Sequence, residues 1–346
     1  MEKVILLGKT PEEIQEVVER LGLPKFTGKQ LVDWLYQKRC ASFSDMTNLS
    51  KNTRALLEEQ FETGLTAPVK EEVSKDGTKK YLFPVGDHFV ETAYIPDRER
   101  ATLCVSTQAG CQMDCLFCAT GKQGFQKNLS AAEIVNQILA LPEFDTLTNV
   151  VFMGMGEPLN NYDNLMRALD ILTCDWALGW SPTRVTVSTC GIIPNLKRFL
   201  VESRCNLAIS MHSPFHDERL KIMPIEKNYP IRDVIHLVKQ HDWHGQRRLS
   251  FEYIVFKDFN DTKDHVKELA RLLGSMRCRV NLISFHKVPS VPLKSPDANT
   301  MTYFRDALND KGIIATIRAS RGQDIQAACG LLSTLSELGG GTPPGC

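Results

Sequence analysis

Three closely spaced cysteines carry the clearest chemical signal in the sequence. Cys111, Cys115 and Cys118 lie in one short stretch that follows a strand-like segment. Thiolates are the ligands that soft metals and iron–sulfur clusters prefer. A structural zinc site normally has four ligands, so zinc would need a fourth from Cys104 or from a distant residue. Three ligands on a four-iron cube would leave one iron open for catalysis, and the spacing therefore favours a cluster, with zinc as the alternative.

Polar residues recur where strand-like segments end. The turn Gly154 to Pro158, Gly-Met-Gly-Glu-Pro, follows one such segment, and its glycines allow a ligand to approach the backbone closely. Taken singly, each polar residue is better explained by a hydrogen bond to nearby backbone. Their recurrence at several strand ends favours a shared binding edge, with the candidates Gly156, Glu157, Ser188, Ser210, Met211, His212 and Asn281.

Two further cysteines and one glutamate are less informative on their own. Cys104 lies in a strand-like segment, and Cys329 lies near the end of the chain's last helix-like segment. A free cysteine usually behaves as a small buried hydrophobe. Glu91, beside a strand, is as well explained as a surface carboxylate. The residues alone therefore assign no chemistry to these three.

The elements that must position these residues alternate in type. Short apolar runs alternate with amphipathic segments, which predicts right-handed βαβ units and a parallel sheet. Chemistry in such folds lies at the carboxyl ends of the strands. We therefore expect an α/β fold, a partial (βα)6 barrel. The predicted strands span 103–106, 149–153, 184–188, 206–210, 249–255, 279–283 and 314–317, and the predicted helices span 131–141, 164–172, a short one from 194, 231–241, 262–273 and 301–311.

Two accessory regions precede the predicted barrel. Residues 1–64 read as a small helical domain, with helices that begin at Thr10-Pro11, span Thr27–Cys40 and follow a Ser50 cap. Residues 65–97 alternate in polarity around Asp76-Gly77, a strong hairpin signal. We expect the barrel to occupy 98–332. The Gly/Pro-rich remainder, 333–346, is expected to be a disordered tail in which Cys346 is an idle thiol.

Composition narrows the cellular setting. The 346 residues carry 41 Lys plus Arg against 41 Asp plus Glu, so any RNA contact must come from local basic patches. No apolar run is long enough to span a membrane, and no signal peptide is apparent. Eleven irregularly spaced cysteines without a secretion signal argue against a disulfide framework. We therefore expect a cytoplasmic protein with no membrane association.

The combined motifs resemble a known family. The Cys-x-x-x-Cys-x-x-Cys spacing resembles the radical S-adenosylmethionine (SAM) superfamily. Together with Thr102-Leu103-Cys104, Ala119 to Phe125, the Gly-Met-Gly-Glu-Pro turn and Ala327 to Gly330, it resembles the RlmN/Cfr family of radical SAM RNA adenine methyltransferases. The resemblance runs from about Phe26 to Leu332. It implies one [4Fe–4S] cluster on the three clustered cysteines, and SAM bound by the strand-end residues named above.

The resemblance also implies a mechanism that uses two SAM molecules per turnover. One SAM methylates Cys329, and the second supplies a radical that removes a hydrogen atom from the S-methyl group. The resulting carbon adds to the adenine ring. Glu91 takes the ring proton, and Cys104 then forms a transient disulfide with Cys329 and releases the product.

The resemblance points to two RNA substrates and leaves one choice open. RlmN-type members methylate C2 of an adenosine in the peptidyl-transferase region of 23S rRNA and also the tRNA adenosine next to the anticodon, whereas Cfr-type members methylate C8 of the rRNA adenosine. Gln123 to Phe125 and Arg321-Gly322 look RlmN-like, so we expect C2. We also expect a monomer that uses an external electron donor such as flavodoxin. The candidate RNA contacts are Lys122, Lys127, Arg247, Arg248, Arg318 and Arg321 around the barrel mouth, with Lys29, Lys38, Arg39 and Lys51 in the helical domain.

Overall fold

A mixed sheet organises the chain. The computed structural model describes residues 3–288 and 291–334, so most of the predicted tail, including Cys346, lies outside the described residues. The strands are β1 Val4–Ile5, β2 Phe61–Glu62, β3 Lys70–Val73, β4 Lys79–Val85, β5 His88–Asp97, β6 Arg100–Cys104, β7 Gln108–Gly110, β8 Phe125–Asn128, β9 Asn149–Phe152, β10 Val185–Thr189, β11 Asn206–Ser210, β12 Leu249–Val255, β13 Arg279–Ser284 and β14 Ile314–Ile317. The helices are α1 Pro11–Arg20, α2 Phe26–Val32, α3 Lys51–Gln60, α4 Ala119–Gln123, α5 Ala131–Leu139, α6 Tyr162–Thr173, α7 Ile193–Glu202, α8 His216–Ile222, α9 Ile231–Lys239, α10 Lys263–Leu273 and α11 Ala298–Asn309.

The parallel part of the sheet confirms the predicted α/β fold. Within the described residues, the largest sheet has the order β14-β13-β12-β11-β10-β9-β6-β5-β4-β3, and the strands from β14 to β6 in this order pair in parallel. Each parallel strand is followed by helices before the next one. Alternate residues of the central strands pack into the core: Val150 and Phe152 of β9 and Val187 of β10 are fully buried, whereas Val151, Thr186 and Ser188 between and beside them are only partly buried.

The N-terminal region forms three helices, as predicted. Thr10 caps α1 in a capping box, and the Ser50 hydroxyl accepts a hydrogen bond from the Thr53 N–H at 3.1 Å to begin α3. The parallel pairing of β1 with β2 was not predicted, because two-residue strands leave no periodic pattern. An ion pair between Arg167 and Glu13, at 2.8 Å, joins these helices to α6 of the barrel. The boundaries at 64, 97 and 332 remain predictions.

The predicted hairpin extends the barrel sheet. β3, β4 and β5 pair antiparallel around the Asp76-Gly77 turn, where Gly77 has φ +85°. β5 then pairs antiparallel with β6, the first barrel strand, and places Ala93 opposite Cys104. The hairpin is therefore continuous with the strand that carries one of the candidate site cysteines.

A second hairpin, which was not predicted, supports the cysteine loop. β7 and β8 pair antiparallel, so residues 111–124 form a loop closed at its base. Gly110 has φ +72°, and a Cβ there would meet the Gly124 carbonyl oxygen at 1.7 Å. Only glycine permits this close approach of the two strands. Among the described residues, no helix has both the length and the apolar character needed to cross a bilayer.

Candidate active site

A cavity of about 440 Å³ lies at the carboxyl ends of the parallel strands. Its walls come from the ends of β6, β9, β10, β11 and β12, the cysteine loop and the segment after β14. The residues predicted from sequence that line it are Cys104, Cys111, Cys115, Cys118, Gly156, Glu157, Ser188, Ser210, His212 and Cys329. Three further candidates, Glu91, Met211 and Asn281, are not among its lining residues.

The three clustered thiols face this cavity from one loop. The Leu116 N–H donates to the Ile222 carbonyl at 2.9 Å, which fixes the loop to the end of α8. Burial raises the pKa of Cys111 to about 12 and also raises that of Cys115 well above its usual value, and the neighbouring thiols act in the same direction. Metal binding would therefore displace protons from neutral thiols. Within the described residues, no three His, Cys, Asp or Glu side chains are arranged as ligands of one metal ion.

The Gly156-Glu157 turn, which follows β9, contacts β7 and the end of β10. Gly156 has φ +95°, and a Cβ there would meet the Gln108 Cβ at 2.5 Å. The Glu157 carboxylate accepts hydrogen bonds from the Thr189 hydroxyl at 2.6 Å and the Cys190 N–H at 2.9 Å. Burial raises the pKa of Glu157, although these two donors oppose the shift. The carboxylate thus holds the carboxyl end of β10 against the turn after β9.

A buried arginine that the sequence analysis missed organises the ends of β10 and β11. The Arg219 guanidinium donates to the carbonyl oxygens of Cys190 and Ser210, each at 2.9 Å, and of Met211 at 3.0 Å. Its remaining Nη forms an ion pair with Glu226. Arg219 and Glu226 are both fully buried. Arg219 therefore positions the backbone of the predicted SAM-binding residues Ser210 and Met211.

His212 is held as a neutral ring. Its φ is +57°, its carbonyl accepts a hydrogen bond from the Asn260 side chain at 2.6 Å, and its Nδ1 accepts one from the Ile254 N–H at 3.0 Å. Burial, together with the charge of Arg219, lowers the pKa of His212 to about 3. Because Nδ1 is an acceptor, the ring proton resides on Nε2.

Asn281 belongs to a polar network beside the cavity. Its amide donates to Glu252 at 2.7 Å, and its oxygen accepts a hydrogen bond from Thr316 at 2.9 Å. The other carboxylate oxygen of Glu252 pairs with Arg318 at 3.3 Å. Glu252 and Arg318 line the cavity, so Asn281 is connected to the cavity by its hydrogen bond to Glu252. Glu252 was missed because a single acidic residue inside an apolar strand has no motif around it.

Cys104 and Cys329 meet at one side of the cavity. Cys104 packs with Ala93 and Ala327 in a small buried cluster, and Cys329 is exposed and lines the cavity. Burial raises the pKa of both thiols, and for Cys104 the neighbouring Cys329 adds to the rise. The Arg318 charge opposes the shift at both cysteines. The two thiols are free and influence each other electrostatically.

Glu91 lies next to this pair, in the middle of β5. It points to the same face of the sheet as Ala93, two residues later, and Ala93 pairs with Cys104. One carboxylate oxygen pairs with Lys80 at 2.9 Å, and the other accepts a hydrogen bond from the Ser333 N–H at 2.8 Å. Burial raises the pKa of Glu91, and the Lys80 charge opposes this rise.

The segment that carries Cys329 is fastened on both sides. The Gly322 N–H donates to Asp76 at 2.9 Å, which fixes the segment to the β3–β4 turn. The Ala119 N–H donates to the Gly330 carbonyl at 2.8 Å and links the segment to the start of α4, directly after the cysteine loop. Cys329 is therefore supported from both the hairpin and the loop of clustered cysteines.

Comparison with known proteins identifies the family. Residues 4–63 match the model of the ribosomal RNA large subunit methyltransferase N-terminal domain, and residues 105–273 match that of the radical SAM superfamily. A probable dual-specificity RNA methyltransferase RlmN from Parabacteroides distasonis is 56% identical over 339 residues, which cover 98% of this chain and 99% of that protein. The chain belongs to the RlmN family. A dual-specificity RNA methyltransferase RlmN from Marinobacter nauticus is 41% identical over 96% of this chain and 93% of that protein.

The fold agrees with membership of the RlmN family. The crystal structure of a radical SAM methyltransferase from Sphaerobacter thermophilus matches with a TM-score of 0.90 and 37% identity, over 95% of this chain and 99% of that chain. The chain is thus a radical SAM RNA methyltransferase of the RlmN family. Membership of the family implies a [4Fe–4S] cluster and SAM, and it therefore disfavours the alternative of a structural zinc site on the clustered cysteines.

The predicted RNA contacts around the barrel mouth need one correction. Arg247 and Arg248 directly precede β12, at the amino end of the parallel strands and opposite the cavity. The Arg247 side chain is hydrogen-bonded to the backbone, since it donates to the carbonyl of Cys205 at 2.8 Å. Arg318 is near the mouth but is paired with Glu252 inside the cavity. Because Arg247 and Arg248 precede the strand predicted at 249–255, the order of the chain already places them at its amino end, and their predicted position at the barrel mouth was wrong.

Proposed function

We propose that this RlmN-family chain methylates C2 of an adenosine in the peptidyl-transferase region of 23S rRNA and of the tRNA adenosine next to the anticodon. The observation that carries the proposal is the convergence on one cavity of the clustered thiols and of two separate cysteines, Cys104 and Cys329. A methyltransferase that used SAM only by direct displacement would need none of these thiols. The relatives described above are named dual-specificity RNA methyltransferases, which supports two RNA substrates for this chain.

Cys111, Cys115 and Cys118 suit the cluster that the superfamily implies. They lie on one loop, face the cavity and offer the soft thiolate donors that iron–sulfur clusters use. Three ligands leave a fourth iron for SAM. With one cluster per chain, the bound group would supply an electron that converts SAM into a hydrogen-abstracting carbon radical. SAM would be held next to the cluster by the strand-end residues, either directly or through the hydrogen bonds described above. These residues are Gly156, Glu157, Ser188, Ser210, Met211, His212 and Asn281.

Cys329 is the methyl carrier in this proposal. Its exposed sulfur attacks the methyl carbon of a first SAM, so that a new C–S bond forms as the sulfonium C–S bond breaks and S-adenosylhomocysteine leaves. The S-methyl group then gives one hydrogen atom to the radical derived from a second SAM. Its methylene carbon bonds to the adenine ring carbon, which joins RNA and enzyme covalently. Electron-poor ring carbons resist direct methylation, which explains the need for a carrier.

Glu91 and Cys104 complete the transfer. Glu91 takes the proton from the substituted ring carbon. The Cys104 thiolate attacks the sulfur of Cys329, and the disulfide forms as the bond from that sulfur to the methylene carbon breaks. The product takes a solvent proton to complete its methyl group, and the surplus electron of the ring would return to the oxidised cluster. A thiol reductant would supply the two electrons and two protons that convert the disulfide back to two thiols, and an external electron donor such as flavodoxin would keep the cluster reduced.

The cellular setting follows from the chemistry. The described cysteines have free thiols, which persist in reducing compartments. Together with the two RNA substrates, this supports action in the cytoplasm. We further propose that the enzyme acts as a monomer.

The test is product analysis. The anaerobically reconstituted protein is incubated with SAM, a reductant and unmodified 23S rRNA fragment or tRNA, and digested nucleosides are analysed by mass spectrometry. We expect 2-methyladenosine from both RNAs. The appearance of 8-methyladenosine instead would assign Cfr-type chemistry and refute the C2 proposal. Cys329→Ser should abolish methylation, whereas Cys174→Ser, a cysteine at the end of α6 that does not line the cavity, should not.

The roles of the two separate cysteines predict different failures. Cys104→Ala should still load the methyl group and attack the RNA, because only release depends on Cys104. A denaturing gel should then show protein covalently attached to RNA. The Cys329→Ser variant should form no such adduct. A Cys104→Ala enzyme that turns over normally, without any adduct, would contradict the assignment of Cys104.

A further inference from the structure

Three charged side chains form a ladder across the hairpin strands. Glu72 on β3 lies directly opposite Lys80 on β4, and their side chains pair at 3.1 Å. Lys80 is opposite Ala93 on β5 and reaches diagonally to Glu91 at 2.9 Å. The side chains are 31%, 11% and 3% exposed in the order Glu72, Lys80, Glu91, so the ladder runs from the surface to the site.

We propose that Lys80 is a positioning residue for the methyl transfer. Its ammonium group keeps the Glu91 carboxylate ionised and in place as the base, and Glu72 holds Lys80 from the surface side. The inference rests on the proposed function, in which Glu91 takes the ring proton. Lys80 contacts the Glu91 carboxylate directly, and it therefore acts through Glu91.

The electrostatic surroundings of Glu91 make it dependent on Lys80. The charged groups that face it are Lys80 from β4 and Glu72 from β3; the C-terminal segment contributes the uncharged Ser333 N–H, and the nearest titratable group on β6 is Cys104. Burial raises the pKa of Glu91, Glu72 adds to the rise, and Lys80 is the only positive charge among these groups that opposes it. Without Lys80 the pKa of the Glu91 carboxyl would rise further, so a larger fraction of it would hold its own proton and could not accept another.

Stability alone gives little reason for this pair. A buried ion pair often contributes no more to stability than well-packed apolar side chains of similar volume. Lys80 also differs from its neighbour Lys79, which points to the opposite face of β4 and pairs with Glu71 at 2.9 Å and Glu143 at 2.7 Å. Lys79→Met therefore removes a similarly paired lysine from the same strand without touching Glu91, and serves as the matched control.

The experiment measures 2-methyladenosine formation on the rRNA fragment from pH 6 to 9.5 with wild type, Lys80→Met, Lys80→Arg, Lys79→Met and Glu91→Gln. S-methylation of Cys329 is followed separately by peptide mass spectrometry. An opposite charge at this distance typically changes a carboxyl pKa by about 1–3, so the acid limb of the pH–rate profile of Lys80→Met should move upward by about 1–3 pH units, with the loss of rate largest at the lowest pH. The rate should recover as the pH rises, and Lys80→Arg should restore most of it. Glu91→Gln should be inactive throughout, and Lys79→Met should follow wild type.

The outcomes separate the two hypotheses. Normal Cys329 methylation in Lys80→Met would show that the site is folded and that the defect follows methyl loading, as we expect. A wild-type pH profile for Lys80→Met, or a loss equal at every pH, would overturn the role of Lys80 while leaving the proposed function intact. Loss of Cys329 methylation in Lys80→Met would also overturn it. If wild type and Lys79→Met form no 2-methyladenosine, the proposed function fails and the role of Lys80 fails with it.

Discussion

Replacement of Arg219 by methionine tests whether one buried cation stabilises the ends of β10 and β11, where the predicted SAM-binding residues lie. The side chain is fully buried and bonds to three carbonyl oxygens at the ends of β10 and β11 as well as to Glu226. Methionine has a similar length and flexibility but no donor. The substitution therefore leaves the buried Glu226 carboxylate without its guanidinium partner, although His216 and the Ile231 N–H still contact it at 2.9 Å each, and leaves the three carbonyls to other partners.

The expected cost follows from these contacts. Removal of one partner from a buried ion pair typically destabilises by about 3–5 kcal/mol. Each lost hydrogen bond adds about 0.5–1.5 kcal/mol unless water replaces it. We therefore expect Arg219→Met to lower the free energy of unfolding by at least about 3 kcal/mol, the lower bound of the ion-pair cost. Adding Glu226→Met removes the stranded charge, so the double variant should be less destabilised than Arg219→Met alone.

Urea unfolding of the metal-free protein, followed by tryptophan fluorescence, provides the measurement. Arg198→Met is the control, because Arg198 is half exposed and pairs with Glu202 and Asp163 on the surface. Such pairs contribute about 0–1 kcal/mol. The reasoning is refuted if Arg219→Met loses no more stability than Arg198→Met, or if the double variant is as unstable as the single one.

Two further predictions concern the same edge. Gly156→Ala should weaken SAM binding, measured by equilibrium dialysis, because the added Cβ would lie 2.5 Å from the Gln108 Cβ at a φ of +95°; unchanged affinity would contradict the close packing. His212, whose pKa burial lowers to about 3, should remain neutral, so its ring signals in NMR spectra should not titrate between pH 5 and 8. Because the unfolded chain takes up this proton near pH 6.5, His212 should reduce stability as the pH falls below that value, and a titration midpoint above pH 5 would disprove the assignment.

The barrel was predictable because its signals are local and repeated. Buried parallel strands appear in the sequence as apolar runs such as Val150 to Phe152, and the capping residues Thr10 and Ser50 mark the starts of their helices. The cysteine loop was predictable for a different reason: its three ligands are close in sequence. These features need no knowledge of distant parts of the chain.

The supporting residues could not be predicted in the same way. Arg219 follows Asp217 and Glu218 in a short helix, a pattern typical of a solvated surface, and only the ends of β10 and β11 show that it is buried. Lys80 likewise resembles any lysine of a hairpin until β5 brings Glu91 beside it. Their roles depend on contacts between segments far apart in the chain, which no spacing encodes.

The position of β3 has a consequence for solubility. Within the described residues, β3 is an end strand of the largest sheet, with one side free of strand partners. Open strand edges invite pairing with other chains, and charged side chains there discourage it. β3 has the sequence Lys-Glu-Glu-Val, so Glu71 and Glu72 guard the edge against aggregation. Glu72, the outer residue of the Glu72–Lys80–Glu91 ladder, therefore serves a second purpose. Its loss would increase aggregation of the protein as well as slow the methyl transfer.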